Sequence, residues 1–225
     1  MKKNVLFFSP TFYDLPLNEN IKKKYDNLSE VANVTVLAFS SQKKILTESE
    51  TTFYLNKKNK SRIFNYLKIF FVSYFQIPKL ISQYEIEIVT FQDPVTSFLG
   101  VYKIKKKYKD VKIVIESHGD FINTLELEKN LTFPNLYKNL FSRMASYTIN
   151  CADMLRAVSS STEEQALSFN SSKPVVRFPA WIDFEIFSSI EPMRDNDGKF
   201  KILFIGSVTD RKKPHMIVDS LPKLI

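Results

Sequence analysis

Cysteine and histidine are scarce in this sequence, and their scarcity excludes two common kinds of site. Cys151 is the only cysteine among 225 residues, so no disulfide can form within the chain. Because there are also only two histidines, the usual ligand sets of protein metal sites cannot be assembled, and no metal is expected. A single cysteine also favours a reducing compartment, and we expect the protein to be cytoplasmic.

Long apolar runs are missing as well. The N-terminal run Val5–Phe8 ends at Ser9 and Pro10, far short of the core of a signal peptide, so it is predicted to be a buried strand. The aromatic stretch 62–81 is interrupted too often by polar residues to span a bilayer. It is predicted to be a helix. A helix packed on the core is favoured, and a helix lying at a membrane interface is the alternative.

The composition is that of a globular protein with an excess of positive charge. Apolar residues make up 44% of the chain and charged residues 25%, which is enough for a buried core and argues against disorder. The net charge of +8 favours an anionic partner: nucleic acid, an acidic membrane surface or a phosphorylated substrate. The lysines are scattered over several elements and no nucleic-acid-binding signature is present, so nucleic acid is not expected.

Short runs rich in Val, Ile and Phe alternate with helical patterns along most of the chain. The predicted strands are 5–8, 34–39, 86–91, 112–115, 154–158 and 175–178, with a further strand at 51–55. The predicted helices are 19–31, 62–83, 95–108, 136–150 and 162–169. Such alternation is typical of βαβ units, so the predicted fold is α/β, with a Rossmann-like, doubly wound parallel sheet.

The pattern is interrupted once, and this interruption predicts a domain boundary. Residues 188–199 are polar and aperiodic and contain Pro192 and Gly198, which is typical of a linker. A new strand at 201–205 and a helix from about Pro214 follow. We therefore predict a domain at 1–187, a linker at 188–199, and at 200–225 the first strand and helix of a second Rossmann-like domain. A lone strand and helix should pack on the first domain or fray.

Ligands of open α/β sheets bind beyond the carboxyl ends of the strands, so the residues that follow each strand are the candidate site residues. His118 directly follows a predicted strand and is the strongest candidate, although a histidine bonded only within its loop is the alternative. Asp93 either faces the ligand or caps the next helix, and it does not form a convincing acid/base pair with Glu116. The remaining candidates to bind substrate at this rim are Ser9, Thr11, Gly119 and Asp120.

Two motifs near the C-terminus resemble those of GT-B glycosyltransferases of family four. In the segment 179–187, Pro179, Asp183 and Phe187 match the family pattern of Pro-Asn-Gly-Val-Asp followed by Phe. Ala180 and Trp181 replace the Asn and Gly. In the segment 204–214, Gly206 and Lys212 match the opening of the donor-binding domain, where Ser207 and Lys213 depart from the expected Arg and Gly.

The resemblance implies a reaction and roles for several residues. The implied reaction is transfer of a sugar from a nucleotide-sugar to a glycan or lipid-linked acceptor, with retention of configuration and without a metal or other cofactor, as in polysaccharide biosynthesis. His118 would contact the sugar. Gly206, Arg211 and Lys212 would face the donor diphosphate. Most of the family's donor site lies beyond the residues of this chain, so the chain alone is expected to be inactive.

The resemblance also implies a location, and a second function remains open. Acceptor domains of this family often contact membranes through basic, aromatic helices, which implies peripheral association with the inner face of the membrane. The alternative to an enzyme is a non-enzymatic, truncated or decayed homologue that binds an acceptor or a membrane surface.

Overall fold

The computed structural model describes residues 1–121, 134–170, 172–190, 201–206, 208 and 212–223. Its centre is an eight-stranded sheet in the order β3-β4-β2-β1-β5-β6-β7-β8. All neighbouring strands are parallel except β3 and β4. The strands are β1 Lys3–Tyr13, β2 Ala32–Ser40, β3 Lys44–Glu48, β4 Thr51–Lys57, β5 Ile88–Phe91, β6 Lys112–Ser117, β7 Met154–Ala157 and β8 Val175–Arg177.

Helices cover both faces of this sheet. They are α1 Glu19–Ser29, α2 Arg62–Tyr84, α3 Phe98–Lys107, α4 Pro134–Cys151, α5 Ser160–Phe169, α6 Phe184–Ser188 and α7 His215–Ser220, which a 3₁₀ turn Leu221–Lys223 follows. From β1 to β2 the chain moves towards one edge of the sheet, and from β5 to β8 it moves towards the other edge. Because βαβ crossovers are right-handed, α1 lies on one face of the sheet while α2, α3 and α4 lie on the other.

The order of the strands reverses beside β1, which has β2 on one side and β5 on the other. Ligands of open α/β sheets bind at such a reversal, beyond the carboxyl ends of the strands. The residues of β2 from Val34 to Ser40 are all buried, as expected for a strand covered on both faces. The predicted α/β, Rossmann-like parallel sheet is therefore confirmed.

The observed strands differ from the predicted ones at several ends, and one strand was missed. The strand β3 was missed because it is a half-exposed edge strand without a long apolar run, and it pairs with β4 across a turn in which Ser49 has a left-handed φ of 50°. The strand β1 continues through Ser9 to Tyr13, after a register shift between Phe8 and Phe12. The strand β6 extends to Ser117, because its backbone pairing with β7 continues beyond Ile115.

The C-terminal part shows one predicted element and lacks the other. A helix begins at His215 after Pro214, as expected, but residues 201–205 do not form the predicted strand. A strand needs a neighbouring strand to accept its backbone hydrogen bonds, and the described residues supply none here. None of the side chains described in 201–206 and 212–222 is buried, and Phe204, Pro214 and Ile217 are partly exposed. The linker residues 191–199 lie outside the described residues, and the domain boundaries stay predictions.

The helix α2 packs on the core, which is the arrangement that its sequence favoured. Its buried face consists of Ile69, Val72, Ile77, Leu80 and Ile81, and these side chains join the main apolar cluster under the sheet. Within the described part of the chain, no helix is long and apolar enough to cross a membrane.

The contact between α2, α3 and β5 depends on a glycine. A Cβ atom at Gly100 would lie 3.0 Å from the ring of Phe91 and 3.1 Å from Cβ of Ser73. We expect Gly100→Val to lower the free energy of unfolding by about 2 kcal/mol, because the added methyl groups force these elements apart. Lys106→Val places the same side chain on the exposed side of α3 and should cost about 0.5 kcal/mol. Equal costs for the two variants in urea unfolding would contradict this packing.

Candidate functional site

A cavity of about 890 Å³ lies on the face of the sheet that carries α1. Its floor is made of side chains at alternate positions of neighbouring strands. Alternate side chains of a strand lie on the same face of the sheet. The floor residues are Phe7, Thr90, Val114, Glu116, Met154, Arg156 and Val176. Residues of α1 and of the segment 178–187 form the walls, and His118 reaches the cavity from the carboxyl end of β6. Of the predicted rim residues that the structure describes, His118 is the one that lines the cavity.

A buried carboxylate lies at the centre of the floor. Glu116 and Arg156 are directly opposite each other in the pairing of β6 with β7. The Oε2 atom of Glu116 accepts a hydrogen bond of 2.8 Å from Nη1 of Arg156 and one of 2.7 Å from Nε2 of His118. The side chains of Glu116 and Arg156 are only 7% and 12% exposed, whereas that of His118 is 38% exposed. The pair thus anchors an imidazole that solvent and ligands can reach.

Opposing effects act on the pKa of Glu116. Burial raises it, because a charged carboxylate loses hydration, but the hydrogen bond from His118 and the positive charge of Arg156 lower it. The charge of Lys24 acts in the same direction, and the pKa falls below the usual 4.5. Glu116 is therefore ionised at neutral pH and can only accept hydrogen bonds.

Arg156 connects three parts of the cavity. Besides Glu116, its Nη2 donates to the carbonyl oxygen of Pro179 at 3.1 Å, and its guanidinium lies 4.0 Å from the ring centre of Phe178. The hydrogen bond and the cation–π attraction both hold the segment after β8 against the strands. Its Nε atom is buried without a hydrogen-bond partner among the described residues.

The helix α1 forms the opposite wall and is tied to the same segment by ion pairs. Nζ of Lys23 lies 2.9 Å from Oδ2 of Asp183 and 2.6 Å from Oε2 of Glu185. Asp183 also caps α6, because its side chain accepts from the amide of Glu185 at 3.2 Å. Lys24, which follows Lys23 in α1, lines the cavity. Burial lowers the pKa of Lys24, although the negative charge of Glu116 raises it. Lys24 thus adds a cation to the wall, above a floor in which Glu116 and Arg156 balance each other's charge.

The hydrogen bond to Glu116 sets the tautomer of His118. Since the carboxylate can only accept, Nε2 of His118 must carry the proton. In the neutral ring Nδ1 is then a hydrogen-bond acceptor, and no group among the described residues is bonded to it. The imidazole therefore offers one acceptor atom to a ligand at the carboxyl edge of the sheet.

The predicted rim residues of β1 and β5 also come together, but through structural contacts. The hydroxyl of Ser9 donates to the side-chain oxygen of Gln92 and also accepts from the amide of Thr11 at 3.0 Å. Asp93 accepts from the amides that follow it, including that of Thr96 at 2.6 Å, and so caps the turn before α3. Burial raises the pKa of Asp93, although these hydrogen bonds act to lower it. Of these residues, Thr11 is the most exposed.

Like Ser9, Thr11 and Asp93, the remaining predicted site residues that the structure describes do not line the cavity. Gly119 is exposed, and a Cβ atom added to it would have no heavy atom within 4 Å. Oδ1 of Asp120 accepts a hydrogen bond from Nε2 of Gln165 at 2.6 Å. Gly206 and Lys212 are exposed, and neither lines the cavity. Arg211 lies outside the described residues. The binding roles of all these residues stay predictions.

Sequence reasoning missed three residues of the cavity. Arg156 falls within a predicted buried strand, Lys24 within a run of lysines typical of a solvated face, and Trp181 at a departure from the family motif. A charge inside an otherwise apolar strand is the signal that could have found Arg156, because a buried charge needs a partner. Glu116 in the neighbouring strand supplies that partner.

The pH dependence of stability tests the Glu116 network. A depressed pKa means that the ionised carboxylate contributes stability above its unfolded-state pKa and loses this contribution as pH falls through the folded-state pKa. Glu116→Gln should cost about 2 kcal/mol at neutral pH. The difference from wild type should shrink below about pH 4.5 in urea unfolding. The exposed control Glu164→Gln should change little at any pH, and a difference for Glu116→Gln that is constant with pH would contradict the network.

The comparisons with known proteins agree with this architecture. Sucrose-phosphate synthase from Thermosynechococcus elongatus superposes with a TM-score of 0.56 at 9% identity, over 82% of this chain and 50% of that one. A trehalose-6-phosphate structure from E. coli bound with UDP-2-fluoro glucose gives a TM-score of 0.54 at 10% identity, over 85% of this chain and 52% of that one. An alpha,alpha-trehalose 6-phosphate synthase from Burkholderia multivorans gives a TM-score of 0.54 at 8% identity, over 83% of this chain and 51% of that one. At these identities the likeness shows the fold alone.

The chain spans about half the length of these solved structures. No curated protein matches it significantly in sequence. The family model of Glycosyltransferase Family 4 matches residues 30–186, which is more than half of the chain. The chain therefore belongs to Glycosyltransferase Family 4, and its fold is that of the N-terminal domain of a GT-B glycosyltransferase.

Proposed function

We propose that this chain is the acceptor-side part of a retaining glycosyltransferase that transfers a sugar from a nucleotide-sugar to a glycan or lipid-linked acceptor, as in polysaccharide biosynthesis. The observation that carries the proposal is the imidazole of His118, held at the carboxyl edge of the sheet by the buried carboxylate of Glu116 at 2.7 Å. The place of action is the cytoplasmic face of the membrane.

The role of His118 follows from its fixed tautomer. A sugar hydroxyl can donate a hydrogen bond to Nδ1, because Nε2 is committed to Glu116. Glu116 and Arg156 do not touch the sugar in this account. They hold the ring in one orientation, which lowers the entropy lost when the sugar binds. His118 is therefore the proposed catalytic residue, and the buried pair beneath it has a positioning role.

The donor side of the site is proposed from the resemblance. The structure from E. coli contains UDP-2-fluoro glucose, which makes nucleoside-diphosphate sugars the first donors to examine for this chain. Lys212 and Arg211 would offset the charge of the diphosphate, with Gly206 allowing its close approach. In this proposal the two cations take the place of a metal ion.

The proposed reaction is tested with UDP-, GDP- and CMP-sugars. We expect little or no hydrolysis or transfer by the 225-residue chain alone, and both by a form extended through any downstream reading frame. His118→Ala should lower kcat/KM by about 100-fold, because the contact with the sugar is lost. His215→Ala removes the other histidine, which lies in α7 and not in the cavity, and should leave the rate unchanged.

Two results would oppose this assignment. Equal rates for wild type and His118→Ala would remove His118 from the reaction. If the extended form turns over no sugar while glycans still quench or shift the fluorescence of Trp181, the single tryptophan in the cavity wall, the protein is a binding module and not an enzyme.

Metal independence is tested separately. Because two cations are proposed to neutralise the diphosphate, exhaustive treatment with EDTA should leave the transfer rate within about twofold of the untreated enzyme. Lys212→Gln should instead raise the KM for the donor, by about tenfold. Loss of activity with EDTA, restored by adding Mg²⁺ or Mn²⁺, would show that a metal is needed.

A further inference from the structure

The three successive lysines of α1 have different surroundings. Lys22 and Lys23 are each paired with a carboxylate outside the cavity floor. Lys24 lines the cavity, and among the described residues its ammonium forms no hydrogen bond and no ion pair. Its Nζ atom lies 5.1 Å from the ring centre of Tyr25, which is a weaker partner than a carboxylate. The lysine that faces the cavity is therefore the one that lacks an anionic partner.

The carboxylates that line the cavity do not supply this partner. Glu116 is bonded to Arg156, and Asp183 is bonded to Lys23. Burial lowers the pKa of Lys24, the negative charge of Glu116 raises it, and the positive charge of Arg156 lowers it again. A partly buried ammonium loses hydration, and a contacting anion is the group that best replaces what is lost. The cavity is thus complementary to a ligand that carries a negative charge.

Most of the remaining lining of the cavity is apolar. More than half of the lining residues have apolar side chains, and four of these are the aromatic residues Phe7, Phe178, Trp181 and Phe187. Phe178, Trp181 and Phe187 are 48%, 37% and 66% exposed. Adjoining apolar side chains with this much exposure mark a surface that a ligand or a partner covers. A ligand that fills the cavity therefore has an apolar body.

The walls of the cavity are connected to each other and to its floor. Lys23 joins α1 to the segment 178–187 through Asp183, and Arg156 holds Pro179 of that segment against the sheet. The volume of about 890 Å³ falls within the range of about 300–1,000 Å³ that is typical of sites for small molecules. Such sites combine an apolar lining with a few polar groups, as this cavity does. The occupant that fits is therefore a small molecule.

We propose that the cavity binds a small molecule with an apolar body and one anionic group, a carboxylate or a phosphate. The body contacts the aromatic rings of the wall, and the anionic group pairs with Lys24. A charge-assisted hydrogen bond gains strength where bulk water is partly excluded, so this one contact selects for an anion. The inference goes beyond the proposed function, because binding of this ligand requires neither a sugar donor nor turnover.

Isothermal titration calorimetry on the 225-residue chain tests the proposal with probes that share one apolar body. At least one of 4-butylbenzoate and 4-butylphenyl phosphate should bind about tenfold more tightly than the neutral 4-butylbenzamide, because only the anions can pair with Lys24. The tighter of the two anions identifies the anionic group. Acetate and inorganic phosphate lack the apolar body and should bind at least about 100-fold more weakly. The fluorescence of Trp181, the only tryptophan, should change when the butyl probes bind.

Two variants with matched controls separate the contributions of charge and shape. Lys24→Gln should weaken binding of the tighter anion about tenfold and leave that of 4-butylbenzamide unchanged. Lys22→Gln removes the same charge from the same helix outside the cavity and should bind like wild type. Val114→Phe fills space above the floor and should weaken binding of all three probes at least about tenfold. Val31→Phe, at a side chain that is 71% exposed and does not line the cavity, should have no effect.

Three results would overturn the proposal, provided that circular dichroism shows each variant to be folded. The first is equal affinity for the anionic and neutral probes, or an equal loss in Lys24→Gln and Lys22→Gln. The second is the absence of binding by all three butyl probes. The third is association of two copies in sedimentation that Val114→Phe abolishes, because the cavity would then be an interface between copies of the chain.

Discussion

The organisation of the cavity depends on one buried ion pair between neighbouring strands. Glu116 and Arg156 are paired in register, and each would be costly to bury alone. Together they fix the positions of two other parts of the molecule: the imidazole of His118 on one side, and the backbone at Pro179 on the other. The catalytic candidate and the cavity wall are therefore coupled to the sheet through the same two side chains.

The sheet separates two surfaces with different chemistry. Facing α1, the cavity combines a buried anion with the cations Lys24 and Arg156, so its charges are largely satisfied within the domain. On the opposite side, the sequences of α2, α3 and α4 contain nine lysines and arginines and no aspartate or glutamate, although Lys105 pairs with Asp153 at 3.4 Å. The net charge of +8 is thus not spread evenly over the elements of the chain.

Most of the fold could be predicted because parallel strands covered on both faces are nearly continuous apolar runs. The run 34–39 is one example, and the structure buries each of its residues. The edge strand β3 could not be found in this way, because three of its five residues are exposed. His118 was identifiable from its position after a strand. Its partner Arg156 was not, because their connection through Glu116 depends on the register of strands whose charged residues are 40 positions apart.

The two edges of the sheet determine how the domain behaves at high concentration. An exposed strand edge can pair with another molecule, which leads to aggregation unless the edge is short, charged or irregular. Here β8 has only three residues, and β3 is an antiparallel edge strand that begins with the exposed Lys44. Neither edge offers a long, flat and apolar template, so self-association through added strands is opposed by the same elements that complete the sheet.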